Sequence, residues 1–119
     1  MSYDIRMVDP ITKEILHTDE VHFLTGGTYC IGGTTEMWLN VTYNYSKFYY
    51  RVINQEKGIR TLYGLSGAES IPLLKSAIQK LGDDIDENYW KATEGNAKRA
   101  LIKLLALAQM RPDGIWNGD

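Results

Sequence analysis

The part of this sequence best suited to bind a ligand is YWKATEGNAKR, residues 89–99. A helix start is predicted here, and helix starts present unpaired backbone N–H groups that suit an anion. Trp90 offers a ring for stacking, Asn96 an amide, and Lys98 and Arg99 positive charge. The pattern predicts a site for a small nucleotide-like ligand. The alternative interpretation is an ordinary capped helix that a preceding aromatic pair anchors.

A second group of candidates lies in and beyond TYNYSKFYYR, residues 42–51, where half of the side chains are aromatic. The run is either a platform for a flat ligand or part of a core. Alternation over residues 38–45 assigns Tyr43 and Tyr45 to the core face and Asn44 to the polar face. Asn44 on the polar face, with Tyr49 and Arg60 further along the chain, are secondary candidates for ligand contact.

Known patterns of catalysis and metal binding are not recognisable. His17 and His22, the only histidines, are five residues apart, which separates them on either a strand or a helix. The lone Cys30 lies between apolar neighbours, and the acidic run 83–87 lacks the register of a calcium loop. No nucleophile elbow or phosphate-binding glycine motif is present. We expect no catalytic residue, metal or cofactor, and an enzyme is the less favoured alternative.

Length and charge limit the class of protein. The chain has 119 residues, a hydrophobic share of 44% and a formal net charge of −2. These values predict one globular domain spanning residues 1–119 and argue against a nucleic-acid partner. No apolar run resembles a membrane span, and the N-terminal residues lack a signal-peptide pattern. We therefore expect a cytoplasmic protein without a membrane partner.

Composition changes near residue 65 and predicts an α+β fold. The N-terminal half is rich in Tyr, Thr, Val, Ile and Gly, whereas Leu, Ala, Lys and Asp dominate the C-terminal half. We expect an antiparallel sheet from the first half, with two main helices from the second half packed on it. The expected β elements are a strand at 3–8, its hairpin partner at 11–16, turns at the two Gly-Gly pairs and a strand at 36–45.

Three helices complete the expected fold. Ser46 precedes a short helix over 47–55. Pro72 would lie too far inside a helix capped by Ser66, so we place a turn at 66–69 and the main helix from residue 71 to 81. The last helix begins after Thr93, and the apolar tail at 115–116 packs back onto the domain.

The segments NVTYNYSKFYY, GIRTLYGLSGAESIPLLKSAIQKLG, YWKATEGNAKRALIKLLALA and MRPDGIWNGD resemble small uncharacterised phage and prophage proteins of Firmicutes. The resemblance covers about residues 38–119. It implies a phage origin and an accessory role but no reaction. Small accessory phage proteins without catalytic motifs often act by binding. This expectation comes from the context of such proteins and not from particular residues.

Two functions follow as hypotheses. The first is a non-enzymatic, homo-oligomeric protein that sequesters a small nucleotide-derived ligand, such as a host defence signal. The second is a module that binds and inhibits a host or defence protein through exposed aromatic anchors, Tyr49, Tyr50 and Trp116.

Overall fold

The computed structural model describes residues 1–119 and confirms the α+β class. Its strands are β1 (Ser2–Val8), β2 (His17–His22), β3 (Thr34–Glu36), β4 (Trp38–Thr42) and β5 (Ile115–Gly118). Its α-helices are α1 (Ser46–Val52), α2 (Gly67–Lys80) and α3 (Glu94–Met110). β1 lies between β4 and β5 in an antiparallel sheet of order β4-β1-β5, and β2 pairs with β3 in a separate hairpin.

The core lies between the three-stranded sheet and the helices. Ile5 and Met7 of β1 and Leu39 and Val41 of β4 alternate toward one face, as a half-buried strand requires, and all four are buried. They join one cluster with the apolar stripe of α3 and with residues of α1 and α2. The prediction that two C-terminal helices pack on an antiparallel sheet is confirmed, but one edge strand of that sheet, β5, comes from the C-terminal half.

The strand predicted at residues 11–16 is wrong. The Asp9 carboxylate accepts hydrogen bonds from the backbone N–H groups of Ile11 and Thr12, and Lys13 has a φ of +65°. The turn after β1 is therefore longer than a two-residue hairpin turn. The chain returns to β1 only at Ile15 and Leu16, and the next strand begins at His17.

The strand predicted at residues 36–45 is shorter, because a 3₁₀ turn over Tyr43–Tyr45 follows β4. The Thr42 side chain accepts a hydrogen bond from Asn44 N and so caps this turn. Asn40 and Thr42 are buried rather than solvated. The loop at 25–27 and Tyr89 form hydrogen bonds with the backbone along the free edge of β4, and the Asn40 side chain donates hydrogen bonds to Ser2 Oγ and Asp4 Oδ1.

α2 begins at residue 67, so the separate turn predicted at 66–69 is wrong. Ser66 and Glu69 form a reciprocal capping box, with hydrogen bonds of 3.0 Å and 2.9 Å between side chain and backbone. Pro72 removes only the hydrogen bond that residue 72 would donate to the carbonyl of Ala68. Both residues are exposed, so water replaces this partner at low cost.

The remaining helical predictions are closer to the structure. The short first helix is present at 46–52, and Thr93 caps α3 by accepting a hydrogen bond from Asn96 N. The tail also packs back as expected, because Trp116 lies in β5 and is buried. No helix has both the length and the apolar character needed to cross a membrane.

Candidate functional site

The loop of residues 86–91 is held rigidly against β4 by Tyr89. The Tyr89 hydroxyl accepts a hydrogen bond from Thr42 N at 3.1 Å and donates one to the Asn40 carbonyl at 3.1 Å. The Tyr89 carbonyl in turn accepts a hydrogen bond from the Tyr45 hydroxyl. Both rings are thereby fixed, and their edge-to-face contact has a centroid distance of 5.6 Å.

Asn96 fixes the same loop from the α3 side. Its Oδ1 accepts a hydrogen bond from Asp86 N at 3.0 Å, and its Nδ2 donates to the Asn88 and Lys91 carbonyls at 3.1 Å each. Asn96 is buried, and both amide hydrogens are already used within the chain. It therefore positions the loop rather than offering a free amide to a ligand.

The anion site predicted at the start of α3 is occupied by the chain itself. The Asp84 carboxylate accepts a hydrogen bond from Gly95 N at 3.1 Å, beside the Thr93 cap. A Cβ on Gly95 would lie 2.7 Å from the Asp84 carbonyl carbon, so the loop contacts the helix backbone directly. Lys98 is also engaged, in an ion pair with Asp83 at 2.6 Å.

One turn further along α3, a cavity of about 190 Å³ opens between the helix, the fixed loop and the loop at Gly26. Arg99 and Lys103 lie four residues apart, on one face of the helix, and line this cavity. Neither takes part in any of the four ion pairs of the chain. The other lining residues are Gly26, Leu39, Tyr45, Asp86, Glu87, Tyr89, Asn96 and Ala100.

The cavity combines these two cations with neutral phenols and two carboxylates. Burial, and then the neighbouring Arg99 guanidinium, lowers the pKa of Lys103 below its ordinary value. Burial raises the pKa of Tyr45 and of Tyr89, so both hydroxyls stay protonated at neutral pH. Asp86 is partly neutralised by Lys91 at 3.3 Å, whereas Glu87 forms no ion pair. The cavity can therefore attract an anion and also accept hydrogen bonds from amino or hydroxyl groups.

Replacing Lys103 with methionine is expected to stabilise the protein at pH 7 by up to about 1 kcal/mol, because it removes a partly buried charge next to Arg99. The folded state binds the Lys103 proton more weakly than the unfolded state. As pH rises toward the ordinary lysine pKa of 10.5, the unmodified protein therefore becomes more stable relative to Lys103→Met, and above that pH the part of the difference caused by the charge is gone.

Urea unfolding of both proteins at several pH values measures this difference, and Lys75→Met on the exposed side of α2 is the control. The control should change stability by less than about 0.5 kcal/mol. An equal gain from both variants would show that the Lys103 charge is not destabilising in the folded state.

The structure brings only some of the predicted site residues together. Arg99 and Asn96 line the cavity, whereas Trp90 lies beside it, with its ring 5.0 Å from the Tyr89 ring and half of its surface exposed. Asn44 donates a hydrogen bond of 2.7 Å to the Trp90 carbonyl and thus supports the same loop.

Two predicted ligand contacts lie elsewhere. Arg60 donates a hydrogen bond to the Asp119 carbonyl at 2.9 Å and stacks on Tyr3 at 4.8 Å, in a cluster that does not line the cavity. Tyr49 is fully buried and donates a hydrogen bond to the Ala97 carbonyl at 3.0 Å, so it is closed to a ligand. Burial also rules out Tyr49 and Trp116 as exposed anchors for a protein partner, and Tyr50 is only partly exposed.

Sequence reasoning missed Lys103 and Tyr45 as cavity residues and pointed to Tyr89 only as part of the aromatic pair before α3. The spacing of Lys103 from Arg99 is a usable signal, since residues four apart share a helix face. The sequence does not show what Tyr89 binds, because its partners on β4 are 47 and 49 positions away.

Comparisons of the chain with protein-family models, with curated proteins and with solved structures find no match. The class that can be stated is thus the architecture itself: an α+β protein with a small cavity between a helix and a loop, lined by two cations, two carboxylates and two tyrosines. The resemblance to phage proteins stays a prediction.

Proposed function

We propose that this chain is a non-enzymatic accessory protein that binds and sequesters a small nucleotide-derived ligand in the cavity beside α3. The observation that carries the proposal is the pair Arg99 and Lys103, two cations without carboxylate partners at one cavity. A phage origin and a host defence signal as the ligand belong to the same proposal and depend on the sequence resemblance alone.

The two cations suit a phosphate group. Arginine offers a planar set of donors that matches phosphate geometry, and lysine adds a point charge at the same group. Neither residue forms an ion pair within the chain, whereas the neighbouring Lys98 pairs with Asp83. A bound phosphate would also favour the charged form of Lys103 and offset the effect of its burial.

The remaining lining groups suit the other parts of a nucleotide. The carboxylates of Asp86 and Glu87 accept hydrogen bonds from base amino groups or ribose hydroxyls. The cavity volume of about 190 Å³ lies below the range of roughly 300–1,000 Å³ typical for drug-sized ligands. It therefore encloses one part of a nucleotide, and the half-exposed Trp90 ring next to Tyr89 offers a stacking surface for the rest.

A thermal-shift screen against nucleotides, cyclic dinucleotides and ADP-ribose derivatives tests the proposal. A ligand at one hundred times its Kd adds about 2.7 kcal/mol of stability, which raises the Tm of a domain of this size by roughly 10 °C. Inorganic phosphate and free nucleosides show which part of a hit is recognised. Absence of any shift across the panel, with a cooperatively folded protein, would refute the proposed ligand class.

For a ligand found in this way, Arg99→Ala is expected to weaken binding by about tenfold to a hundredfold, since a hydrogen bond to a charged group contributes roughly 1.5–3 kcal/mol. Calorimetric titration measures the loss. Trp90→Ala reports separately on stacking, and Lys75→Ala on the exposed side of α2 is the matched control. Unchanged affinity in both Arg99→Ala and Trp90→Ala would place the ligand outside this cavity.

A further inference from the structure

A second surface lies on the hairpin of β2 and β3, away from the cavity. Four large apolar side chains of this hairpin are exposed: Val21 at 53%, Phe23 at 69%, Tyr29 at 86% and Ile31 at 85%. We call these four residues the hairpin patch. Single exposed apolar residues are common on protein surfaces, but several within one short segment indicate an interaction site.

The patch adjoins a groove between β2 and the C-terminal half of α3. A Cβ on Gly33 would lie 2.5 Å from Val21 Cγ1 and 3.0 Å from Phe23 Cε1, so both side chains pack across the Gly33 backbone. Val21 also lines the groove, whose volume is about 440 Å³. Leu107 and Met110 of α3 form its opposite wall. Val21 is therefore shared by the patch and the groove, and Phe23 lies next to it.

His22 gives this surface a fixed shape. Its Nδ1 accepts a hydrogen bond from Leu24 N at 3.0 Å, so its Nε2 carries the proton and donates to the Glu36 carbonyl at 2.6 Å. The imidazole thus connects β2 to the end of β3 and holds Val21 and Phe23, on either side of it, at defined positions. A surface that is fixed before binding loses less conformational entropy when a partner docks.

The hairpin side of this surface carries charge of one sign. No lysine or arginine occurs anywhere in residues 14–46, whereas four carboxylates do: Glu14, Asp19, Glu20 and Glu36. Asp19 and Glu20 line the groove and are exposed, and neither forms an ion pair. Positive charge on the partner opposite Asp19 and Glu20 would therefore favour docking.

We propose that the hairpin patch and the groove form a docking site for a basic, amphipathic segment of another protein. Apolar side chains of that segment would enter the groove beside Leu107 and Met110, and its lysines or arginines would face Asp19 and Glu20. A second copy of this chain, docked patch to patch, would bring the same carboxylates together. Asp19 and Glu20 would likewise repel an anionic membrane surface.

Two synthetic helical peptides test this site. Both peptides have one stripe of leucines along the helix. All remaining positions are lysine in the first peptide and glutamate in the second. NMR titration of the labelled full chain should show that only the lysine peptide binds, with shifts at Val21, Phe23, Leu107 and Met110. Phe23→Ser/Ile31→Ser should weaken binding by about tenfold or more. Glu20→Gln should weaken it by about twofold to fivefold, and Glu56→Gln, on the loop after α1, should leave it unchanged.

Three results would overturn the proposal. Equal binding of the two peptides would show that charge does not select the partner, and failure of both to bind would remove the site. Concentration-dependent self-association that Phe23→Ser/Ile31→Ser abolishes would assign the surface to a second copy of the chain. Thermal unfolding of each variant confirms that these exposed substitutions leave the fold intact, so lost binding is a surface effect.

Discussion

Replacing Gly26 with alanine should destabilise the chain by about 3 kcal/mol or more, because the added methyl group would make the shortest contact of any glycine-to-alanine change in this chain. Gly26 has a φ of +70°, and a Cβ there would lie 1.6 Å from the Asn40 carbonyl oxygen. That oxygen belongs to β4 and already accepts hydrogen bonds from Gly27 N and the Tyr89 hydroxyl, so it cannot move away freely. Both the loop and the cavity wall would have to shift.

Gly32 provides a matched control for this prediction. Its φ is +76°, yet a Cβ there would meet no atom within 4 Å. Gly32→Ala therefore carries only the backbone strain, about 1 kcal/mol. Guanidinium unfolding followed by circular dichroism compares the two variants. Equal losses of stability would show that β4 relaxes around the new methyl group and that the contact with Asn40 is not rigid.

Trp116→Ala is expected to cost about 3–5 kcal/mol, the usual range for deleting a buried aromatic side chain. Trp116 is 1% exposed, lies in β5 opposite Met7 of β1, and donates a hydrogen bond from Nε1 to Ser70 Oγ at 2.8 Å. The side chain therefore connects the edge of the sheet to the first turn of α2. Its loss would leave a cavity and remove the hydrogen bond together.

Two further variants divide this cost. Trp116→Phe keeps a ring but loses the hydrogen bond and part of the volume, and we expect about 1–2 kcal/mol. Asn117→Ala, at the exposed neighbouring position, should stay within about 0.5 kcal/mol. Urea unfolding followed by circular dichroism measures all three. A loss below 1 kcal/mol for Trp116→Ala would mean that β5 contributes little to the folded state.

Local patterns predicted the elements that carry their own signals. The Thr93 cap and the apolar stripe that follows it were enough to predict α3. The alternation of Leu39 and Val41 with polar residues was enough to predict β4. Pro72 misled the prediction of α2, because a general rule against proline in helices competed with the capping box at Ser66 and Glu69, and the box prevailed.

The candidate site was harder to predict, because its geometry comes from distant partners. The sequence pointed to free helix N–H groups before α3, but the structure fills them with Asp84, a residue of the preceding acidic loop. Asn96 and Lys98 were chosen for their chemistry, and both are used within the chain. Arg99 remains a candidate for ligand contact, because it lines the cavity and forms no ion pair with a carboxylate of the chain. A one-dimensional pattern shows which groups exist, but not which of them are already paired.

The central position of β1 has a consequence for folding during synthesis. One edge of β1 pairs with β4, but the other pairs with β5, and Ile5 lies opposite Gly118 in that register. While the ribosome makes the residues in between, this second edge is open, and an open strand edge can pair with other chains. The local contacts of α2 and α3 form quickly, whereas the sheet closes only after residues 115–118 have left the exit tunnel. The sheet is therefore completed late, after the elements between β1 and β5 have been made.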